Sequence, residues 1–101
     1  MNPAFHPEAI REFEEAAKFY RARGRNLAIR FSREIQKTIA RLVAHPDRWR
    51  ILEHDIHRCL VNVFPYSVLY TIEPDYVLIV AIMHNKRQPG YWRSRLKKRD
   101  D

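Results

Sequence analysis

The residues best suited to chemistry lie in one short stretch near the C-terminus. His84 directly follows the apolar run 76–83, and Lys86, Arg87 and Tyr91 come after it within seven residues. An imidazole titrates near neutral pH and can move a proton, while cationic side chains can stabilise a developing negative charge. These residue types make the end of the buried strand a candidate functional site. The alternative for His84 is a hydrogen-bonded packing residue.

The charge of the same region points to an anionic partner. Between Tyr76 and Arg99 the chain has seven Lys or Arg residues and no acid, and the whole chain carries a formal net charge of +7. Charges that are not neutralised locally favour nucleic acid, ribosomal RNA, a membrane surface or an acidic protein as the partner. The residues predicted to bind a target or nucleic acid are Lys86, Arg87, Trp92, Arg93 and Arg95.

These residues also have plainer interpretations. Lys86 and Arg87 could form an ordinary solvated turn. Tyr91 and Trp92 could anchor the last part of the chain to the sheet through their aromatic rings. The segment 93–101 is predicted to be a basic tail, helical or frayed, for which solvation alone is a sufficient explanation.

Length and composition limit the classes of protein. The 101 residues predict one domain, 1–101. The single cysteine, Cys59, excludes an internal disulfide framework and is typical of a reducing cytosol, so we expect a cytoplasmic protein. The apolar runs are shorter than the ~18 residues that a membrane helix needs. The acidic and histidine residues of 53–57 lack the spacing of zinc sites, so we expect no metal and no cofactor.

The first half of the sequence predicts a helical hairpin. Pro7 suits the first turn of a helix whose apolar face begins with Ile10. Gly24 is expected to end this helix in a left-handed conformation, and Asn26 to cap the next one. His45 precedes a proline and is expected to end the second helix.

The second half predicts strands. A weak strand at 49–53, stronger strands at 57–64 and 67–73, and the apolar strand 76–83 are separated by short turns, and 2–5 could add an edge strand. The run 76–83 is apolar on both faces, which is typical of a central strand. The predicted fold is α+β, with the order β-α-α-β-β-β or the same order with one more strand, and with the helical hairpin packed on a small antiparallel sheet.

Four segments together are characteristic: FHPEA at 5–9, FPYSVLY at 64–70, AIMH at 81–84 and RQPGYW at 87–92. On these segments the chain resembles the RelE/ParE superfamily of toxins from type II toxin–antitoxin modules, in the ParE-like branch of plasmid stabilisation proteins. The resemblance covers nearly the whole chain, and element order, size and basic charge agree with it. It implies a growth inhibitor that is neutralised by a cognate antitoxin, so that the two proteins form a hetero-oligomer.

The resemblance implies two possible activities. ParE-like toxins poison DNA gyrase without cleavage chemistry, whereas RelE-like toxins are mRNA endoribonucleases that act on the ribosome. The RelE-like mechanism implies cations on the sheet, and Arg58 could match one, but the companion position is Leu60. The arginine expected after the strand turn is Ser67, whose neutral hydroxyl cannot replace a guanidinium. A nuclease would then rely on His84, Arg58 and Tyr91.

Three hypotheses remain at this point: a gyrase poison, a ribosome-dependent mRNA interferase, and a non-toxic or decayed module that only binds an antitoxin. The missing arginine favours the gyrase poison. An acidic antitoxin segment would be attracted by the basic charge and would wrap the hairpin and sheet. The outward faces of the helices, with Tyr20, Arg30 and Phe31, are the predicted antitoxin contacts.

Overall fold

The computed structural model describes residues 1–96. In chain order the elements are β1 (Asn2–Phe5), α1 (Pro7–Arg23), α2 (Arg25–Ala44), β2 (Ile51–Glu53), β3 (Ile56–Leu60), β4 (Tyr66–Ile72), β5 (Tyr76–His84) and a short 3-10 helix, Arg93–Arg95. The strands form one sheet with the spatial order β1-β5-β4-β3-β2. This confirms the predicted α+β fold, with the edge strand at 2–5 and the one further strand that the predicted order left open. The sheet is mixed rather than wholly antiparallel, because β1 runs parallel to β5.

Helix α1 begins and ends beside residues that satisfy its free backbone groups. The Nδ1 atom of His6 accepts a hydrogen bond from the Glu8 N–H at 3.1 Å, so His6 is the N-cap and Pro7 the first helical residue. Gly24 ends the helix, but its φ of 160° is extended rather than left-handed, so that expectation was wrong. Helix α2 starts at Arg25, which places Asn26 inside the helix and not at its cap.

The buried face of α1 is made mainly of alanines. Ala9, Ala16 and Ala17 are buried, while Ile10, which the periodicity placed on this face, is exposed. Phe13 and Tyr20, which the same periodicity places on this face, pack against the core, so Ile10 alone departs from the predicted face. Helix α2 ends at Ala44, directly before His45, as predicted.

The sheet has a buried cluster on each face. The cluster on the helix side includes Phe31, Leu42, Val68 and Ile79. The cluster on the opposite side contains Ile56, Leu69, Val80, Ala81, Met83 and Trp92. Strand β5 contributes to both clusters, which confirms the prediction of a central strand covered on both sides. We call the two faces the helix face and the outer face.

A β-bulge interrupts the pairing of β4 with β5. Leu69 pairs with Ala81, but the next residue of β4, Tyr70, pairs with Ile79, so Val80 is an additional residue in β5. No helix within residues 1–96 is long and apolar enough to span a membrane.

Candidate functional site

The predicted nuclease residues Arg58 and His84 lie on opposite faces of the sheet. Tyr66 pairs with His84 across the β4–β5 ladder, and their rings are 5.1 Å apart on the helix face. Arg58 donates a hydrogen bond from Nε to the Oγ of Ser67 at 2.9 Å. Tyr66 and Ser67 are neighbours in one strand, and neighbouring side chains point to opposite faces. The structure therefore places Arg58 and His84 on opposite faces of the sheet and does not bring the two side chains together.

His84 lies at a groove between α1 and the end of the sheet. The groove has a volume of about 300 Å³ and is lined by Glu12, Glu15, Ala16, Phe19, Tyr20, Tyr66, Ile82, His84, Arg87 and Tyr91. The Nδ1 atom of His84 accepts a hydrogen bond from the Lys86 N–H at 3.1 Å. One ring nitrogen of His84 thus accepts a hydrogen bond from the backbone of the turn that follows β5, which agrees with the alternative that His84 is a hydrogen-bonded packing residue.

Tyr91 shares the groove with His84, but its hydroxyl is already bonded. It donates to Oε2 of Glu12 at 2.6 Å. Burial, together with the hydrogen bond to Glu12 and the charge of that carboxylate, raises the pKa of Tyr91 well above its ordinary value. The phenol therefore holds its proton for Glu12, and proton donation to a substrate would require that bond to break.

Arg95 completes a buried cluster around Glu12. Its Nη1 and Nη2 atoms donate to the two carboxylate oxygens at 2.8 and 2.9 Å, and the two side chains are only 11% and 13% exposed. Hydrogen bonds from both guanidinium nitrogens to the carboxylate give the strong bidentate geometry. Arg95 was predicted to bind a target, but in the structure its guanidinium is paired with the Glu12 carboxylate.

The same cluster covers an open stretch of the β5 edge. Strand β1 pairs with β5 only as far as Ile79. Beyond it, Glu12 accepts a hydrogen bond from the Ile82 N–H at 3.0 Å, and Arg95 donates to the Val80 carbonyl at 3.2 Å. These bonds satisfy backbone groups that a neighbouring strand would otherwise bind. Glu12 was not predicted from the sequence. The only sequence feature that could have identified it is the position of an acidic residue next to Phe13, at the border of the buried face of α1.

The remaining residues of the C-terminal stretch divide into a buried anchor and exposed cations. Trp92 is 2% exposed and packs in the outer-face cluster, so it is the anchor of the plainer interpretation and is not available to a target. Arg93 is exposed and donates two hydrogen bonds of 2.7 Å to Glu53. Lys86 and Arg87 are exposed in the turn after β5, and the Arg87 guanidinium lies 3.9 Å from the centre of the Tyr91 ring. The predicted basic tail continues into 97–101, outside the described residues.

One of the three predicted antitoxin contacts is wrong. Phe31 is fully buried in an aromatic cluster, with its ring centre 5.0 Å from that of Tyr20 and 5.3 Å from that of Phe64. Tyr20 is half-buried at the groove beside α1, and Arg30 is exposed on α2. Only Tyr20 and Arg30 therefore remain accessible to a partner.

Ser67, at the position where the RelE-like resemblance implies an arginine, holds two neighbouring side chains by hydrogen bonds. It is fully buried, accepts from Arg58 and donates to the Oδ1 atom of Asn85 at 2.7 Å. Arg58 Nη2 also donates to Asn85 Oδ1, at 3.3 Å. The serine thus orients Arg58 and Asn85 on the outer face.

Comparison with known proteins identifies the family and a related solved structure. The model of a family described as ParE toxin of type II toxin-antitoxin system, parDE, matches residues 4–89. A chain from the chromosomal ParDE TA system from P. aeruginosa superposes with a TM-score of 0.73 at 16% sequence identity, over 83% of this chain and 95% of that one. Identity at that level shows a shared fold. No curated protein matches the chain.

Proposed function

The chain belongs to the family of ParE toxins of type II toxin–antitoxin systems, and we propose that it stops growth by poisoning DNA gyrase through protein–protein contact until a cognate antitoxin neutralises it. The observation that carries the choice of gyrase over the ribosome is the separation of Arg58 from His84 by the sheet.

Cleavage of RNA requires several groups around a single phosphate. A base must activate the ribose hydroxyl, a cation must stabilise the charge, and an acid must protonate the leaving oxygen, each within hydrogen-bond reach. Arg58 lies on the outer face and His84 on the helix face, so the two groups are not arranged around a single phosphate. Tyr91 is on the side of His84, but its proton is bonded to Glu12. This distribution supports a toxin that acts by contact.

The contact with gyrase is proposed to use the exposed turn after β5. Lys86 and Arg87 project there next to the groove that His84 and Tyr91 line. The turn is held in place by the hydrogen bond from the Asn85 N–H to the Pro65 carbonyl at 2.9 Å. A fixed, basic protrusion of this kind suits an acidic patch on a protein target.

The antitoxin is proposed to cover the helical side of the molecule. The helices expose the apolar residues Ile10, Phe19 and Ile29, which a partner could bury. Tyr20 and Arg30 lie on the same two helices and are accessible. The net charge of +7 would attract an acidic antitoxin segment and speed its association.

The test is induction of the protein without an antitoxin in a bacterial host, with pulse labelling of DNA, RNA and protein over minutes. We expect DNA synthesis to fall first, accompanied by a DNA damage response, and co-expression of the antitoxin to prevent this. His84→Ala should keep this pattern, because a contact poison needs no proton transfer. An early loss of protein synthesis with cleaved mRNA, abolished by His84→Ala, would instead establish the interferase. Healthy growth on strong induction would point to the non-toxic module.

A further inference from the structure

Arg58 is fixed on the outer face of the sheet by neutral groups alone. Its Nε and Nη2 atoms donate to Ser67 Oγ and Asn85 Oδ1, which use two of the five N–H groups of a guanidinium. Asn85 Oδ1 also accepts from the Ser67 hydroxyl. The amide nitrogen of Asn85 therefore faces away from this network and offers two further donors. Both side chains present donors that are oriented before any ligand arrives.

The charge of Arg58 is not neutralised by the part of the protein that the structure describes. The ion pairs found within residues 1–96 join Arg11 to Glu8, Lys37 to Glu34, Arg93 to Glu53 and Arg95 to Glu12. A half-buried cation is costly to hold unless an anion compensates it, and here a buried serine and an exposed asparagine hold it in place. Because the protein holds the uncompensated Arg58 guanidinium in a fixed orientation, we expect this group to bind an anion from outside the chain.

Arg58 lies where two grooves meet. The first has a volume of about 580 Å³ and is lined by Arg41, Trp49, Arg50, Arg58, Leu60 and Asn62, with no acid among them. The second, of about 210 Å³, contains Arg58, Asn85 and Arg87 together with one acid, Glu53, which is bonded to Arg93. Four arginines, Arg41, Arg50, Arg58 and Arg87, thus follow one continuous path, which we call the arginine track.

We infer that the arginine track binds the phosphates of a single-stranded nucleic acid. Guanidinium groups match phosphate oxygens with two parallel hydrogen bonds, and a row of them follows a phosphate backbone. Trp49 is partly exposed in the first groove beside Arg50, which gives an unpaired base an aromatic surface for stacking. A paired base has no free face to offer, so the track favours a single strand over a duplex.

Binding at this track involves no cleavage. His84, the residue best suited to move a proton, lies across the sheet on the helix face. The inference concerns a different class of partner from the gyrase contact. The track shares Arg87 with the turn after β5 and takes Arg41 from α2, whereas Arg50 and Arg58 belong to neither of the surfaces proposed to contact gyrase and the antitoxin.

The test is fluorescence anisotropy of a labelled oligodeoxythymidine of about 12 nucleotides with the purified full-length protein, a length within the site sizes of such grooves. With four phosphate contacts, log Kobs should fall with log salt at a slope of about −2.8, from −0.7 per contact on a single strand. Arg50→Gln and Arg58→Gln should each reduce the magnitude of the slope by about 0.7. Arg50 is exposed, so its variant keeps the test valid even where Arg58→Gln disturbs folding.

The matched control is Arg33→Gln, which removes the same charge from a basic groove on the helices, shared with Arg21 and Arg25. It should leave the slope unchanged. Equal losses in Arg33→Gln and Arg50→Gln would overturn the inference in favour of general charge attraction. Tighter binding of a duplex of the same length would overturn the inferred preference for a single strand. Displacement of the oligonucleotide only by a polyglutamate peptide would overturn the inference and indicate that the partner is an acidic protein.

Discussion

Replacement of Glu12 by glutamine tests the buried cluster that holds the C-terminal segment against the fold. The carboxylate accepts hydrogen bonds from the Ile82 N–H, the Tyr91 hydroxyl and both terminal nitrogens of Arg95. Glutamine has nearly the same shape but only one acceptor oxygen, and it has no charge. Arg95, 11% exposed, would be left as a buried cation without its carboxylate.

The expected loss is large for a single conservative substitution. Removing one partner of a buried ion pair costs about 3–5 kcal/mol, because the other charge stays buried and uncompensated. We expect Glu12→Gln to lower the free energy of unfolding by about 3 kcal/mol, at the lower end because Gln keeps one acceptor. In a domain of this size, each 1 kcal/mol corresponds to about 4–8 °C, so the melting temperature should fall by at least about 12 °C.

The assay is denaturant unfolding followed by tryptophan fluorescence, with Glu15→Gln as the matched control. Glu15 lines the same groove but is exposed, and its variant should stay within about 0.5 kcal/mol of the wild type. Adding Arg95→Met to Glu12→Gln should recover part of the loss, because the pair is then replaced by groups that need no charge compensation. A Glu12→Gln variant within 1 kcal/mol of the wild type, or a double variant equal to the sum of the single changes, would refute this reasoning.

Three further outcomes follow from individual residues. Phe31→Ala should cost about 3–5 kcal/mol in the same unfolding assay because the ring is fully buried, whereas a contact residue on the helix surface would cost little. Val63, 73% exposed, has a φ of 73° that a β-branched residue tolerates poorly, so Val63→Gly should raise the unfolding free energy by about 1 kcal/mol; an unchanged midpoint would argue against strain there. The raised pKa of Tyr91 means that its contribution to stability is fully present below the ordinary phenol pKa and is lost as pH rises through the folded pKa. Stability measured above about pH 10 should therefore decline less steeply in Tyr91→Phe than in the wild type.

Local signals were sufficient to predict the order of the elements, and they failed where distant parts of the chain meet. Pro7 and His45 mark helix ends through backbone geometry that belongs to the residues themselves. Phe31 was assigned to an outward contact through the antitoxin that the resemblance implies and not through helical periodicity, which gives it the spacing of an apolar core face. Glu12 was missed because Tyr91 and Arg95 are about eighty residues away from it in sequence.

The separation of Arg58 from His84 depends on one residue of β5. Simple alternation from Val77 and Ile79, which lie in the helix-face cluster, would place His84 on the outer face with Arg58. The extra residue Val80 reverses the alternation, so that Ile82 returns to the helix-face cluster and His84 follows it there.

The bulge and the Glu12 cluster are parts of one arrangement. The bulge lies where β1 no longer covers the edge of β5, and there Glu12 accepts the Ile82 N–H. Glu12 thereby supports the very residue that resumes the alternation, and its other hydrogen bonds fix Tyr91 and Arg95 on the same side. A residue on the first helix thus helps to decide on which face the histidine lies. The folded chain therefore places His84 and Tyr91 at one groove and holds Arg58 on the opposite face of the sheet.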